Sequence, residues 1–527
     1  MIWPKNIVNL PGSTRPWLNN QKKRTETVVT ELNAEVLKPL FEFKQSYASK
    51  DCSPRSLASL QLRALSAVKT LLSRKFGSVL TLTVSDDVDA QNLGCELVSL
   101  CGKKARMITS ASKKELFGKK DGEGLLAHGG IFVIPCVLFL EHPKFFSKCA
   151  ALLRLTHDLK MIFCGSAQDC ADLMLLWPEF ENALHTDIVL EFPTDPRLCA
   201  ALIAHWNVRG ICSNFSAEAV ALFTVFCNRL ASDRRWMYLS ERKLKALCED
   251  ASSHSHGSEV GSKDFLYAVA AHDFRQNYVA SAQIRDHREG QILLRTFGKC
   301  PGQINALSVV ETSGTCYEYG EPVRVTACIR AGGDGEVIDI ERKAELAGQI
   351  HAKAMMIING FIMREFGAVL PMPASASLVF EQSYSEIDGD SASLTGLCAV
   401  LSAYGDLPLR QDLAVTGAVD QFGNVQPVGG VNQKIEGFFR ICSLHGLTGT
   451  QGVIIPRSCV YSLVLRPAVL KAVAAGRFHI YTVTHVTHAL ELLPGIPWGD
   501  PETEGSIVQK VLDRLEIVNS RGDERPW

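Results

Sequence analysis

Four short, β-rich apolar runs separated by helical stretches restrict the folds open to this chain more than any other feature. They are SVLTLTVSDD (Ser78 to Asp87), GGIFVIP (Gly129 to Pro135), LKMIFCGS (Leu159 to Ser166) and IVLEF (Ile188 to Phe192). Runs of this kind alternating with helices predict a parallel sheet in an α/β domain. Ahead of them, SLASLQLRALSAVKTLLSRKF from Ser56 places apolar residues at i, i+3, i+4 and i+7, which predicts a helix. An amphipathic stretch from Glu26 to Phe43 precedes it in an otherwise polar N-terminal segment.

From Ser216 the texture turns helical, with SAEAVALFTVFCNRLAS, SERKLKALCEDAS and KDFLYAVAAHDFRQNYVAS in succession. SSHSHGSEVGSK (Ser252 to Lys263) interrupts them as a solvated loop, and His254 and His256 within it have no partner motif that would make them metal ligands. Beyond a boundary at Gly298 to Gly302, INALSVVE and PVRVTACIR read as strands, Glu341 to Phe366 as one long helix, and SLVFEQS as a strand. The rest alternates: a helix after Ser391, the strand DLAVTGAV, a helix after Asn432, the strand GVIIP and a helix over Val486 to Leu493. The expected division is an N-terminal segment (1–54), an α/β domain (55–214), a helical subdomain (215–297), an α+β domain (298–500) and a C-terminal tail (501–527). No repeat or low-complexity tract interrupts it.

Composition excludes classes rather than choosing one. The 55 basic and 56 acidic residues leave a net charge of −1, which gives no support to a whole-chain nucleic-acid footprint or a polybasic membrane patch. The longest apolar run, Ile131 to Leu140, contains Pro135 and is too short to span a bilayer. The 17 cysteines are scattered with no CxxC pair, which fits a reducing compartment and offers no zinc site. The opening MIWPKNIVNLPGSTRPW lacks the apolar core of a signal peptide, so a soluble, cytoplasmic protein is expected.

The segment richest in chemistry is FEQSYSEIDGDSASLTGLCAVLSAY, Phe380 to Tyr404. A strand ends, Asp388-Gly389-Asp390 make a tight turn, and Ser391 opens an apolar-periodic helix. Gly389 allows a sharp turn and close approach of a substrate, and free N–H groups at a helix start can stabilise an oxyanion. Ser391 is therefore a candidate nucleophile, although ordinary N-capping selects the same residue types. Further along, GGVNQKIEGFFRIC (Gly429 to Cys442) is a second glycine turn entering a helix, with Lys434 in its first turn. The helix dipole disfavours a cation there, and burial would lower the lysine pKa further, making a neutral amine available. Such an amine can take a serine hydroxyl proton, whereas an ordinary surface lysine cannot. Other hydrolase signatures fail. There is no GxSxG and no HExxH, and SxxK at Ser66, Ser110 and Ser240 has neither SDN nor KTG beside it.

With these residues in place, the chain from Gly302 onward resembles the proteolytic domain of Lon proteases, in the branch whose nucleophile motif reads GDSAS, here Gly389 to Ser393. GQINALSVVE, ERKAELAGQIHAKA, VTGAVDQFGNVQPVGGVNQKIEG and GVIIP carry the rest of the resemblance. It implies Ser391 as nucleophile, Lys434 as general base and Thr416 as the hydroxyl that orients the lysine. Asp388 falls at an acidic position of variable role, and backbone N–H groups over Gly389, Asp390 and Ser391 would hold the oxyanion. The implied fold is multidomain α/β and α+β, with a degenerate AAA+-like α/β module and helical lid followed by an α+β Lon proteolytic domain.

The N-terminal half resembles the AAA+ module in its order of elements, GEGLLAHGGIFVIP standing at the Walker B region and Ser216 to Ser240 at the lid. The nucleotide chemistry is missing, since a P-loop needs GxxxxGK(S/T), and this chain has Ser85-Asp86-Asp87-Val88-Asp89 after the first strand. The Walker B strand ends in Pro135-Cys136 instead of acidic residues. ATP and Mg²⁺ are thus expected from the family but not from the residues, and the chemistry itself needs no cofactor. The implied partners are protein and peptide substrates and further copies in a ring, hexameric by resemblance, with no membrane or nucleic acid. The alternatives are an ATP-dependent protease with an atypical nucleotide site, a non-catalytic assembly or adaptor protein, and a nucleic-acid-associated regulator, to which the charge balance gives no support.

Overall fold

The computed structural model describes residues 29–110, 112–119, 122–156, 158–177, 183–255, 257, 259–312, 314, 317–367, 374–383 and 387–523. The expected absence of a signal peptide, the start of the amphipathic stretch and His256 lie outside those residues. Described positions fall into two units, one made of 38–279 with 461–464, the other of the remaining chain. Among the described residues no helix is long and apolar enough to cross a membrane.

The first unit is built on a five-stranded, wholly parallel sheet in the order Arg106–Met107, Gly130–Pro135, Leu159–Gly165, Ser78–Thr83, Leu184–Asp187. Alternation along each strand sorts its side chains onto two faces. Leu80, Leu82, Val133, Ile162 and Cys164 join one core, which continues into Trp206, Phe215, Phe223 and Phe265 of the helical part. Val79, Phe132, Ile134, Met161 and Phe163 join the other, with Phe139, Phe146 and Trp177. Both faces are covered, as parallel sheets require. The helices Pro196–Val208, Ala217–Ala231, Glu241–His254 and Ser262–Gln276 complete the unit.

Two expectations here need correction. The helix after Ser56 is broken into Leu57–Leu60 and Leu62–Ser73 at Gln61. The run Ile188 to Phe192 is not the fourth sheet strand: Leu184–Asp187 takes that place, and Glu191–Pro193 pairs antiparallel with Trp236–Tyr238. One residue accounts for both. Gln61, 2% exposed, donates through Nε2 to the Val189 carbonyl (2.7 Å) and accepts the Val189 N–H at Oε1 (2.9 Å). Val189 thus has its backbone satisfied by a side chain and needs no neighbouring strand.

The second unit holds a seven-stranded mixed sheet. Its order is Thr30–Glu31, His479–Val483, Gly452–Pro456, Leu413–Val415, Gln303–Thr312, Tyr317–Asp339, Ala374–Phe380. The four strands from His479–Val483 to Gln303–Thr312 run parallel, and the outer pairs antiparallel. The helix Ser393–Gly405 is buried at every position except Ala403. It packs Leu394, Leu397, Leu401 and Tyr404 among Ile304, Val325, Leu378 and Ile454. Residues Ile507–Asp523, inside the segment expected as a tail, form a helix that adds Ile507, Val511 and Leu515 to the same core.

The long helix expected over Glu341 to Phe366 is two helices, Ile340–Lys343 and Gln349–Phe366. The Asp388 carboxylate sits on the start of the second, where its Oδ1 accepts the N–H groups of Ile350 (3.1 Å) and His351 (3.4 Å). A Cβ at Gly348 would collide with that carboxylate, so the break falls where the chain has no side chain.

The helix Val431–His445 lies directly on the strand Tyr317–Asp339, with Gly437 against Gly320. A methyl group on Gly437 would meet the Gly320 carbonyl oxygen, and backbone cannot move aside cheaply. Gly437→Ala should therefore destabilise this unit by about 1–3 kcal/mol, read as a lower thermal-unfolding midpoint. An unchanged midpoint would mean that the helix and strand can separate freely.

Candidate active site

Helix Ser393–Gly405 and helix Val431–His445 each present their first turn to one point. The expectation that Ser391 opens its helix is off by two residues: Ser391 lies in the turn just before, with Ala392 at the N-cap position. Gly389 sits in that turn at φ 122°, a conformation glycine adopts without strain.

Ser391 Oγ and Lys434 Nζ are 2.8 Å apart. Thr416 Oγ1 is 3.3 Å from the same Nζ and donates its own proton to the Ser391 carbonyl at 3.2 Å. The threonine hydroxyl is thus committed to that carbonyl and can only accept from the lysine. One N–H of a neutral Lys434 is thereby aimed at Thr416, which frees the nitrogen lone pair for Ser391. The Ser391 carbonyl also accepts the Gly417 N–H (2.9 Å), and Leu394 N–H returns to the Gly417 carbonyl (3.0 Å). These bonds lace the serine turn to the strand segment 413–419.

Lys434 is 3% exposed. Burial lowers its pKa to about 8, against the raising influence of Cys459 and Asp390. Burial also pushes the Cys459 thiol up, disfavouring its thiolate. A lysine titrating there supplies a useful fraction of free amine near neutral pH, where a surface lysine supplies almost none.

The six residues singled out from sequence do not all converge. Ser391, Lys434 and Thr416 are in mutual hydrogen-bond reach, and Gly389 and Asp390 form the adjoining turn. Asp388 instead caps the helix Gln349–Phe366, so its carboxylate serves that helix rather than the serine. Cys459 is a neighbour the sequence did not reveal. Its Sγ accepts the Val428 N–H at 3.5 Å and donates to the Val428 carbonyl at 3.7 Å, fixing the chain that leads to the Lys434 helix. Nothing local distinguishes it from the other buried thiols.

In the first unit, the loop after Ser78–Thr83 is closed by its own carboxylates. Asp89 caps the helix Ala90–Leu100, accepting the Asn92 N–H at 3.1 Å. Asp87 accepts the hydroxyls of Tyr238 (2.7 Å) and Ser240 (2.9 Å) and lies 3.8 Å from Lys243. The Asp89 carboxylate thus already occupies the helix start at which a phosphate would need free N–H groups. At the end of the strand Gly130–Pro135, Cys136 is buried 3.8 Å from Cys170. Among the described residues no group of three or more His, Cys, Asp or Glu side chains could hold a metal ion. His254 packs edge-on against Tyr267.

Comparisons with known proteins fall on the same region. Residues 384–491 match the family model of the Lon protease (S16) C-terminal proteolytic domain. The chain is similar to a Lon protease homolog of Escherichia coli (strain K12), 39% identical over 382 residues, which cover 70% of this chain and 64% of that protein. A Lon protease homolog of Haemophilus influenzae is 47% identical over 287 residues, covering 54% of this chain and 48% of that protein. An archaeal Lon protease of Thermococcus kodakarensis is 27% identical over 311 residues, 58% of this chain and 45% of that protein. The chain thus matches from about half to just under two thirds of the length of these relatives.

Because protonated Lys434 cannot accept the Ser391 proton, the serine should be nucleophilic only above the lysine pKa. Its rate of modification by a serine-directed phosphonate should rise with pH and level off, with a midpoint near about 8. A rate flat from pH 6 to 10 would separate the lysine from the reactivity of the serine.

Proposed function

Given the Lon-type (S16) proteolytic domain carried by residues 384–491, we propose that this chain is a serine endopeptidase working through a Ser391–Lys434 dyad. The observation that carries the reading is the 2.8 Å contact between a half-buried serine hydroxyl and a lysine amine sealed from water. Ser391 Oγ bonds to the peptide carbonyl carbon as its proton passes to Lys434 Nζ, and the carbonyl electron pair moves onto oxygen. Backbone N–H groups in the turn at Gly389 to Ser391 hold that oxyanion. Collapse expels the amine, which takes the proton from Lys434, and water then cleaves the acyl-enzyme by the same route in reverse. Thr416 keeps the amine oriented throughout. No metal or cofactor takes part in these steps.

The proposed substrates are proteins and peptides, and the proposed assembly is a homo-oligomeric ring, both drawn from the family. The N-terminal unit is proposed to be a degenerate AAA+-like module, over about the span first assigned to an α/β domain (55–214) and helical lid (215–297), that works without ATP. Two observations support this. Asp89 already caps the helix where a phosphate would dock, and Asp87 is tied into the Tyr238–Ser240 segment. A carboxylate and a phosphate about 4 Å apart near a surface repel by about 4 kcal/mol at an effective dielectric near 20. No P-loop lysine is present to offset that repulsion.

Ser391→Ala and Lys434→Ala should each lower peptide cleavage by more than about a thousandfold, since members of one catalytic unit are not additive. Lys434→Arg should be equally inactive because guanidinium does not deprotonate. Near-parental cleavage by any of the three would refute the dyad, and a parent chain with neither cleavage nor Ser391 labelling would favour the adaptor reading.

Titration with ATP·Mg²⁺ should give no binding at micromolar concentrations, and peptide cleavage should be the same with and without it. Micromolar binding with phosphate release that speeds proteolysis would replace this reading with the ATP-dependent one.

A further inference from the structure

The motif around the nucleophile contains a second serine to which the proposed mechanism gives no role. Ser393 is the first residue of the helix Ser393–Gly405 and is 4% exposed. Its Oγ donates to the Asp390 carbonyl at 2.7 Å and accepts the Val419 N–H at 3.0 Å. Its backbone N–H reaches the same Asp390 carbonyl at 2.9 Å. The Asp390 carbonyl is therefore held by two donors from one residue, and that residue is itself pinned to the strand Ala418–Val419.

A trans peptide is planar, with its carbonyl and the following N–H pointing in opposite directions. Drawing the Asp390 carbonyl toward the helix start turns the Ser391 N–H away from it. On the other side of Ser391, its own carbonyl is held by Thr416 and Gly417. Both peptide planes that flank the nucleophile are thus fixed, and among the described residues the Ser391 N–H meets no acceptor. A free, fixed donor beside the attacking oxygen is what a developing oxyanion needs.

We propose that Ser393 is a positioning residue: through the Asp390 carbonyl it orients the Ser391 N–H as the oxyanion donor. This rests on the serine-endopeptidase reading. Ser393 is buried and its hydroxyl is taken up by Asp390 and Val419 rather than Lys434, so its loss should spare both substrate affinity and the titration of the lysine. A serine at a helix start can bond back to a carbonyl for stability alone. The bond from Val419 also satisfies a buried N–H, so some loss of stability follows under either account. Only the transition-state readouts separate the two.

The test uses the full chain, with kcat divided by the concentration of sites titrated by a serine-directed phosphonate. Ser393→Ala should lower kcat per titrated site by ~10- to 100-fold, a step below the loss of an oxyanion donor itself. KM and the pH midpoint should stay unchanged, and a peptidyl aldehyde, which forms its own oxyanion on Ser391, should bind weaker by the same factor. Ser393→Thr, which keeps the hydroxyl, should restore kcat to within about threefold. If Ser393→Ala does not fold, Ser393→Cys keeps a weaker donor at the site and should lose about tenfold in kcat per titrated site. A kcat per titrated site equal to the parent's in the folded variant, or aldehyde affinity unchanged while kcat falls, would overturn the proposal. A parent chain that neither labels at Ser391 nor cleaves would instead overturn the endopeptidase reading on which it rests.

Discussion

An amine kept from water beside a hydroxyl is stable only if the protein around it leaves no room for solvent and no stronger partner for the charge. The second unit meets that condition by backbone contact. The helix carrying Lys434 rests on the strand Tyr317–Asp339 at Gly437 and Gly320, where no side chain and no water fit between them. Among the described residues Nζ then has two hydrogen-bonding oxygen neighbours, Ser391 Oγ and Thr416 Oγ1. Lowering the lysine pKa from 10.5 to about 8 corresponds to roughly 3 kcal/mol in favour of the neutral amine. Ser391 is held by the complementary device, a turn leading into a helix so apolar that the core surrounds nearly all of it.

The first unit uses its polar side chains to close a loop that could otherwise have stayed open. A phosphate cradle is a set of N–H groups left without partners. Here Asp89 occupies the helix start, and Asp87 gathers two hydroxyls from a segment far along the chain. Asp87 and Asp89 therefore have positive work in holding the loop.

What was legible in the sequence follows the range of the interactions responsible. The three central parallel strands could be read because alternation within each strand sorts its residues between two cores. The fourth was misplaced by a few residues because the decisive contact, Gln61 with the Val189 backbone, joins positions 128 apart. The helix over Glu341 to Phe366 looked continuous because runs of good helix formers flank Gly348 on both sides. Its break depends on Asp388, which caps it from 38 residues downstream. Ser391 and Lys434 were readable because each stands at a glycine turn entering a helix. Cys459 carried no such signal, and Ser393 means something only when Asp390 and Val419 are seen around it.

The carboxylate lodged at the start of the helix Ala90–Leu100 bears on which proteins such an enzyme would consume. On the ATP-free reading, no stroke pulls a client apart, so the client must open by itself. Turnover would then track how often each client exposes a cleavable segment, set by its own opening equilibrium when reclosing is fast and by its unfolding rate when cleavage outpaces reclosing. Such a protease acts as a stability filter. It spares well-packed clients and clears frayed, truncated or marginal chains, its selectivity written in the clients' energetics rather than in a recognition sequence.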